Sequence, residues 1–388
     1  MRSPKIRFKG YSEDWEQRKL SEIATMHARI GWQNLRTSEF LDDGDYMLIT
    51  GTDFEDGRIN FSTCHYVEKE RYDQDRNIQI SDGSILITKD GTLGKVAYVQ
   101  GLKKPATLNA GVFNVQIRKE NNVDGKYLFQ YLKAPFLMDY VGQKATGGTI
   151  KHLNQNILVD FPVVMPKIEE QERLGAYFEQ LDLLITLHQR KCEQTQKLKK
   201  YMLQKMFPQD KTNVPKIRFD GFTDAWEQRK FGEVVDVRSG RDYKHLAEGD
   251  IPVYGTGGYM LSVDEALSED EDAIGIGRKG TIDNPYILRA PFWTVDTLFY
   301  VIPRDKYDLN FVFDIFQNVN WKAKDESTGV PSLSKATINE VETLMPKYAE
   351  QKKIGEYFSN LDHLITLHQQ KCDQLQSIKK YMLQNMFV

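Results

Sequence analysis

Apolar residues recur at alternating steps of four and three in two stretches of the chain, residues 166–207 and 346–387. This spacing places the apolar side chains on one face of an α-helix in a heptad pattern, which is typical of helices that pair along their length. The positions in this pattern are Leu174, Phe178, Leu181, Ile185, His188, Cys192 and Thr195, and then Ile354, Phe358, Leu361, Ile365, His368, Cys372 and Leu375. Glutamates at the start and lysines at the end of the first stretch fit the helix dipole. The pattern predicts two long helices.

The two stretches are copies of one another, since 27 of their 42 aligned positions are identical. We expect helices with matching apolar faces to pair as an antiparallel coiled coil, each about 57 Å long. The chain would then form a dumbbell with its termini close together. His188 and His368 would meet near the middle of the coiled coil, where we expect them to fix the register of the helices rather than bind a metal. Cys192 and Cys372 would lie too far apart for a disulfide.

A second repeat lies at the start of each half, where residues 4–19 match residues 215–230 at 11 of 16 positions. The order is therefore a short block, a variable domain and a helix, followed by the same again with a local two-fold axis. The predicted boundaries are 1–165 for the first variable domain, 166–207 for the first helix, 208–345 for the second variable domain and 346–388 for the second helix.

The variable domains show short β-rich runs bounded by glycine and aspartate turns, with one helical run in each domain. The predicted strands are 46–50, 84–88, 96–99, 112–117, 274–276 and 298–302, and the predicted helices are 126–141 and 311–321. The fold class is therefore α+β, with two globular domains that contain mixed, irregular sheets.

Composition limits the possible locations and partners. The chain has 388 residues, of which 40% are hydrophobic, and no apolar run long enough to span a membrane. Its three cysteines and its polar N-terminus lead us to expect a cytoplasmic protein. A net charge of −3 means that a nucleic-acid surface would have to be a local groove.

Sequence motifs that resemble cofactor-binding or catalytic sites lack the neighbouring residues that such sites require. Gly275, Gly277 and Gly280 fit a dinucleotide-binding pattern, but Pro285 blocks the helix that should follow. Lys95 lacks the upstream glycine of a phosphate-binding loop, and the histidines and cysteines show no metal-ligand spacing. We expect no catalytic, cofactor or metal site in this chain.

Two loops recur in both domains. Residues 87–93 align with 276–282, and residues 146–154 align with 327–335. Glycine beside a cation and a hydroxyl lets the backbone approach a phosphate closely and bind it. Such a loop can also be an ordinary hairpin turn. Its recurrence in two domains of divergent sequence favours a shared ligand, for which duplex DNA is the candidate. The candidate DNA-binding residues are Lys89, Thr92, Lys95, Lys151, His152 and Asn154, then Arg278, Lys279, Thr281, Ser332, Ser334 and Lys335, with Arg241 and Lys244 as phosphate contacts.

The chain resembles the DNA-specificity subunits of type I restriction-modification systems over its whole length. The resemblance rests on the segment that begins Pro166-x-x-x-Glu170-Gln171, on its copy from Pro346 and on the repeated blocks described above.

The resemblance implies a non-catalytic subunit whose two domains each read half of a split, asymmetric DNA site. It also implies two modification subunits that methylate adenine with S-adenosylmethionine, and two restriction subunits that use ATP and magnesium. A coiled-coil adaptor without sequence-specific DNA binding remains the alternative.

Overall fold

A computed structural model describes residues 3–144, 152–209, 212–325 and 327–388, with only the backbone of Trp32. The chain divides into two compact units. Each unit contains one variable domain together with parts of both long helices. The first unit is Met1–Leu187 with Lys371–Val388, and the second is His188–Gln370. Each long helix therefore contributes one part to each unit.

The first unit is rich in short strands. Its strands are β1 (Glu16–Lys19), β2 (Ala24–His27), β3 (Tyr46–Ile49), β4 (Phe54–Glu55), β5 (Arg58–Ile59), β6 (His65–Val67), β7 (Gln79–Ile80), β8 (Ile85–Thr88), β9 (Val96–Tyr98), β10 (Ala106–Leu108), β11 (Val112–Ile117) and β12 (Pro162–Met165). Its helices are α1 (Leu20–Ile23), α2 (Lys69–Asp73), α3 (Gly125–Lys133), α4 (Phe136–Lys144), α5 (Gln155–Val159) and the first part of α6 (Ile168–Met206). Single 3₁₀ turns lie at Gly31–Gln33, Thr37–Glu39, Gly51–Asp53, Arg76–Ile78 and Lys119–Asn121.

The second unit has a similar composition of elements. Its strands are β13 (Glu227–Lys230), β14 (Val235–Ser239), β15 (Glu248–Gly255), β16 (Gly258–Val263), β17 (Ala273–Gly277), β18 (Tyr286–Leu288), β19 (Trp293–Thr294), β20 (Leu298–Pro303) and β21 (Glu342–Met345). Its helices are α7 (Phe231–Val234), α8 (Leu309–Asn318), α9 (Lys335–Asn339) and most of α10 (Tyr348–Asn385), with a 3₁₀ turn at Trp321–Lys324.

One antiparallel sheet has the same strand order in both units, β2-β11-β8-β9 in the first and β14-β20-β17-β18 in the second. A further sheet in each unit contains one parallel pair, β3 with β10 and β15 with β19, so these sheets are mixed. Each unit is thus a sheet-rich domain of mixed helix and strand, as the sequence predicted.

The prediction was wrong for one helix and incomplete for the strands. The run 126–141 forms α3 and α4 rather than one helix, because Pro135 lacks a backbone N–H and disfavours helical geometry at Ala134. The β15–β16 hairpin was missed, since its residues alternate poorly between apolar and polar types.

The repeated N-terminal blocks are fixed to the long helices by buried ion pairs. Arg7 donates two hydrogen bonds of 2.8 Å to Glu170, and Arg218 donates two of 2.7 Å to Glu350; both glutamate side chains are 2% exposed. A two-bond pair between a guanidinium and a carboxylate fixes direction as well as distance. The same residues thus attach each block to its helix.

The ends of the long helices complete the domain cores. In the first unit, Phe387 is 3% exposed and stacks on Phe178 with 5.3 Å between ring centroids. In the second, Phe207 stacks on Phe311 with 5.5 Å between ring centroids and also contacts Phe358 in a tilted arrangement. Each domain core therefore requires a helix end that arrives from a distant part of the sequence.

Buried lysines near these helix ends form ion pairs with aspartates of the other long helix. Lys379 donates to Asp182 at 2.5 Å in the first unit, and burial lowers the pKa of this lysine to about 8. In the second unit, Lys199 donates to both carboxylate oxygens of Asp362, at 2.6 and 2.7 Å. Contacts of this kind fix the register of the helical segments within each unit.

Within the second unit, the Nδ1 atoms of His188 and His368 lie 3.1 Å apart, so one imidazole donates to the other. This contact agrees with the predicted role of the two histidines in setting register. Cys192 and Cys372 are not joined by a disulfide, which agrees with the prediction.

Candidate nucleic-acid interface

The first recurrent loop is the turn after the third strand of the shared sheet. In the first unit, the hydroxyl of Thr88 donates to the carbonyl of Thr92 and accepts from the backbone N–H of Lys95 at 3.0 Å. In the second unit, Gly277 takes the place of Thr88, and a Cβ there would lie 2.0 Å from the carbonyl oxygen of Thr281. The hydroxyl of Thr88 therefore closes the turn in the first unit, whereas in the second unit Gly277 has no side chain and the backbone can pack closely.

The second recurrent loop joins the first by the same backbone hydrogen bond in both units. The backbone N–H of Leu153 donates to the carbonyl of Lys89 at 2.9 Å, and that of Leu333 donates to the carbonyl of Arg278 at 3.0 Å. Two loops that lie about 60 residues apart in sequence therefore form one surface in each domain. The sequence predicted both loops but not their contact, and its alignment of the second loop is one residue out of register, since Leu153 corresponds to Leu333.

The cation at the centre of each surface lies over a phenylalanine of the neighbouring strand. The Nζ atom of Lys89 is 5.6 Å from the ring centroid of Phe113, and the guanidinium carbon of Arg278 is 5.9 Å from that of Phe299. Such contacts contribute about 0.5–1 kcal/mol at exposed sites and restrict the side chain. Both cations are thus held in place without a carboxylate partner in the described residues, which leaves their charge available to a ligand.

In the second unit, the two loops enclose an open cleft of about 580 Å³. Its lining includes five of the predicted residues, Arg278, Lys279, Ser332, Ser334 and Lys335. Three of these are cations, and Asp296 is the carboxylate among the lining residues, so the cleft is positive by two charges. A positive groove with hydroxyl groups suits a phosphate backbone.

The other candidates vary in availability. Thr92, Lys95, Asn154, Thr281 and Lys335 are exposed. Asn154 precedes α5 without capping it through its side chain.

Ser334 has a structural role that the sequence did not reveal. Its hydroxyl accepts from the backbone N–H of Thr337 at 3.0 Å and so caps α9. Asp325 supports the same loop by accepting from the backbone N–H of Ser332 at 2.9 Å, and that hydrogen bond is the main reason for the lowered pKa of Asp325.

His152 lies within the joined loops of the first unit, whereas Lys244 lies elsewhere in the second unit. The Nδ1 atom of His152 is 2.5 Å from a carboxylate oxygen of Asp90, at an exposed position. Lys244 lines a different cleft, beside Tyr259 and Met260. Arg241 is exposed, and its backbone carbonyl accepts from the indole N–H of Trp293 at 3.0 Å. Lys151 lies outside the described residues.

The tip of the β15–β16 hairpin also belongs to this surface, although the sequence prediction missed it. The hydroxyl oxygen of Thr256 lies 3.9 Å from the point that a Cβ on Gly280 would occupy. Gly280 and its counterpart Gly91 both have positive φ, at 93° and 72°. The run Gly-Thr-Gly-Gly at residues 255–258 is the turn signal that could have found the hairpin.

Comparison with known proteins decides the family. The family model described as "Type I restriction modification DNA specificity domain" matches residues 12–197 and 223–377. The chain belongs to this family. As a specificity subunit, it is a non-catalytic protein of the group that recognises DNA targets.

Relatives and solved structures agree with this assignment. The specificity subunit is 22% identical to the type I restriction enzyme MjaVIII specificity subunit of Methanocaldococcus jannaschii, over 79% of each chain. It is also 22% identical to the putative type I restriction enzyme MjaX specificity subunit of that organism, over 96% of this chain and 92% of the relative. The crystal structure of a type I restriction-modification S subunit from M. genitalium has the same fold, with a TM-score of 0.73 at 17% identity, over 100% of this chain and 99% of that one. Among the described residues, no helix is both long and apolar enough to cross a membrane.

Proposed function

We propose that this specificity subunit reads a two-part, asymmetric site on duplex DNA, one part with each domain. The supporting observation is the recurrence of one loop pair, with the same backbone hydrogen bond and a cation over a phenylalanine, in two domains of divergent sequence. A backbone geometry shared by both domains is suited to contacting phosphates, which are the same in every DNA sequence. Side chains that differ between the domains can contact different bases. The candidate residues of both loops, with Arg241, Lys244 and Lys151, are proposed DNA contacts.

The experiment for this proposal is selection from randomised duplexes by the purified subunit bound to its modification subunits. We expect enrichment of one motif with two read parts and a fixed unread gap. Retention of DNA without any enriched motif would instead support the coiled-coil adaptor and would refute the proposal.

We further propose that the two long helices form an antiparallel coiled coil related by a local two-fold axis, with recognition domains at 1–165 and 208–345. Within the first unit, Phe178 contacts Phe387 and Asp182 contacts Lys379, so residue numbers rise on one helix as they fall on the other. The contacts of Lys199 with Asp362 and of His188 with His368 repeat this order in the second unit.

A longer helix should change the spacing that the protein reads. Inserting seven residues into α6 keeps the apolar face in phase and adds about 10 Å to that helix. We expect the unread gap to change in length, or DNA binding to be lost, in the selection experiment. Seven residues added after Val388 serve as the control and should leave the motif unchanged; an unchanged motif in the α6 insertion would refute the role of the helices as a spacer.

We propose that the helices also bind two modification subunits, which supply S-adenosylmethionine, and that two restriction subunits join with ATP and magnesium. This chain itself would need no cofactor, and the complex would act in the cytoplasm. Two leucines occur at equivalent positions of both helices and are exposed to solvent. Their exposed fractions are 42% for Leu184 and 44% for Leu187 on α6, and 41% for Leu364 and 48% for Leu367 on α10. Identical exposed apolar positions suit two copies of one partner.

Replacing Leu184 and Leu187 with glutamine should weaken binding of the modification subunit about tenfold or more, because interface leucines lose their apolar burial. The helix should persist, since both side chains already face solvent. The measurement is sedimentation or calorimetric titration of the complex, with Leu198→Gln, at an exposed position that does not repeat as leucine, as the control. Equal affinity in all three proteins would contradict this docking surface.

A further inference from the structure

Helices α3 and α8 occupy equivalent places in their units. Asp124 caps α3 and Asp308 caps α8, each through its side chain. The backbone N–H of each aspartate donates to a glutamine of the long helix at 3.0 Å, Gln171 in the first unit and Gln351 in the second. Positions on the two helices therefore correspond at an offset of 308 − 124 = 184 residues.

In the first unit, two lysines fill the space between α3 and the long helix. Lys126 donates to Glu179 at 2.7 Å, and the Nζ atom of Lys133 lies 3.9 Å from Asp182. The side-chain amide of Gln130 donates to the same Asp182 at 2.8 Å. The cavity that remains there measures about 30 Å³. Cations of the domain itself thus neutralise the carboxylates of the helix.

In the second unit, the corresponding residues are Asn310, Asp314 and Gln317, so both lysines are absent and a carboxylate replaces Gln130. The space is an open cleft of about 480 Å³. Asp314 is 1% exposed, and its Oδ2 atom has no hydrogen-bond partner among the described residues. The same holds for the buried Oδ1 atom of Asn310, one helical turn away. Two buried polar atoms without hydrogen-bond partners are costly unless a ligand satisfies them.

The cations near this cleft are already engaged. Lys199 donates to Asp362 and, at 2.8 Å, to Gln317, while Arg289 donates to Asp272. Burial raises the pKa of Asp314, and the charge of Lys199 only partly opposes that effect. Asp314 is therefore protonated over a wider pH range than an exposed aspartate. The remaining titratable groups that line the cleft are Tyr286 and His363.

We propose that this cleft binds an alkylammonium group, from a free diamine or from the lysine side chain of another protein, through Asp314 Oδ2 and Asn310 Oδ1. The ligand would occupy the place that Lys126 and Lys133 fill in the first unit. Binding would exchange the proton on the Asp314 carboxyl for the ammonium ion, so one proton leaves as the ion pair forms. Affinity should therefore increase as pH rises. The site is independent of the DNA-binding loops.

The test is calorimetric titration of the intact chain with 1,4-diaminobutane and with N-acetyl-lysine amide, with 1,4-butanediol as the neutral control. We expect binding of a cation and none of the diol. Asp314→Gln introduces the residue of the first unit, and Asn310→Lys introduces its cation. Each variant should reduce affinity about tenfold or more, because a charge-assisted hydrogen bond is lost or the site is filled internally.

The two probes separate the sources of the ligand. Binding of the diamine alone supports a free amine, whereas binding of the blocked lysine supports a protein side chain. Proton release, measured from heats in buffers of different ionisation enthalpy, should be present in the wild type and absent in Asp314→Gln. Lack of binding by both cations, or equal affinity in the wild type and both variants, would overturn the proposal.

Discussion

Phe387→Ala is expected to lower the free energy of unfolding of the first unit by about 3–5 kcal/mol, which is the usual cost of removing a buried aromatic ring. Phe387 lies at the end of the chain, yet it packs in the core of the N-terminal domain, between Phe178 and Tyr131. Its loss removes apolar burial and leaves a cavity where the helix end meets the domain. The first unit should therefore open more readily than the second.

Hydrogen exchange of individual amides is the appropriate measurement, because a protein of two units need not unfold in one step. Phe207→Ala is the matched variant and should loosen the second unit instead. Tyr381→Ala, at a side chain that is 55% exposed on the same helix end as Phe387, should change exchange little. If Phe387→Ala left exchange in the first unit unchanged, the helix end would not be a necessary part of that core.

Replacing both Lys89 and Arg278 with alanine is expected to abolish sequence-selective DNA binding. Each substitution alone should cost about 1–3 kcal/mol if the cation contacts a base, or weaken binding uniformly if it contacts a phosphate. Because the two cations lie in different domains, we expect the two losses to add within about 0.5 kcal/mol. The double variant would then bind at least about thirtyfold more weakly, since about 1.4 kcal/mol corresponds to a factor of ten.

Binding should be measured by titration of duplex DNA at several salt concentrations, since loss of a phosphate contact also reduces the salt dependence by about one unit of slope. Lys69→Ala is a suitable control, because that exposed lysine is paired with Asp73 away from the recurrent loops. Wild-type affinity and wild-type salt dependence in the double variant would show that the recurrent loops do not contact DNA.

The sequence predicted those features that depend on local pattern. The apolar face of each long helix follows directly from spacing, and Leu174, Phe178 and Leu181 are buried as predicted. Strand β11 has its predicted bounds because Val112–Ile117 is rich in β-branched and aromatic residues between turns. The candidate loops were found because glycine, a cation and a hydroxyl recur at fixed spacing.

Features that depend on packing between distant segments were not predictable. Nothing in the sequence shows that Leu153 donates to Lys89, or that Lys89 lies over Phe113. That the Oδ2 atom of Asp314 is buried without a partner among the described residues depends on how α8 packs against the long helix, which sequence does not reveal. The hydroxyl of Ser334 makes it a candidate in the sequence, and only the structure shows that this hydroxyl caps a helix.

The most direct test of two-part DNA recognition is a map of N6-methyladenine in cells that express this chain with its modification subunit. We expect one asymmetric motif in two parts with a fixed gap, and loss of methylation when Lys89 and Arg278 are both replaced. An uninterrupted motif, or no methylation from a soluble complex with an active modification subunit, would contradict the account.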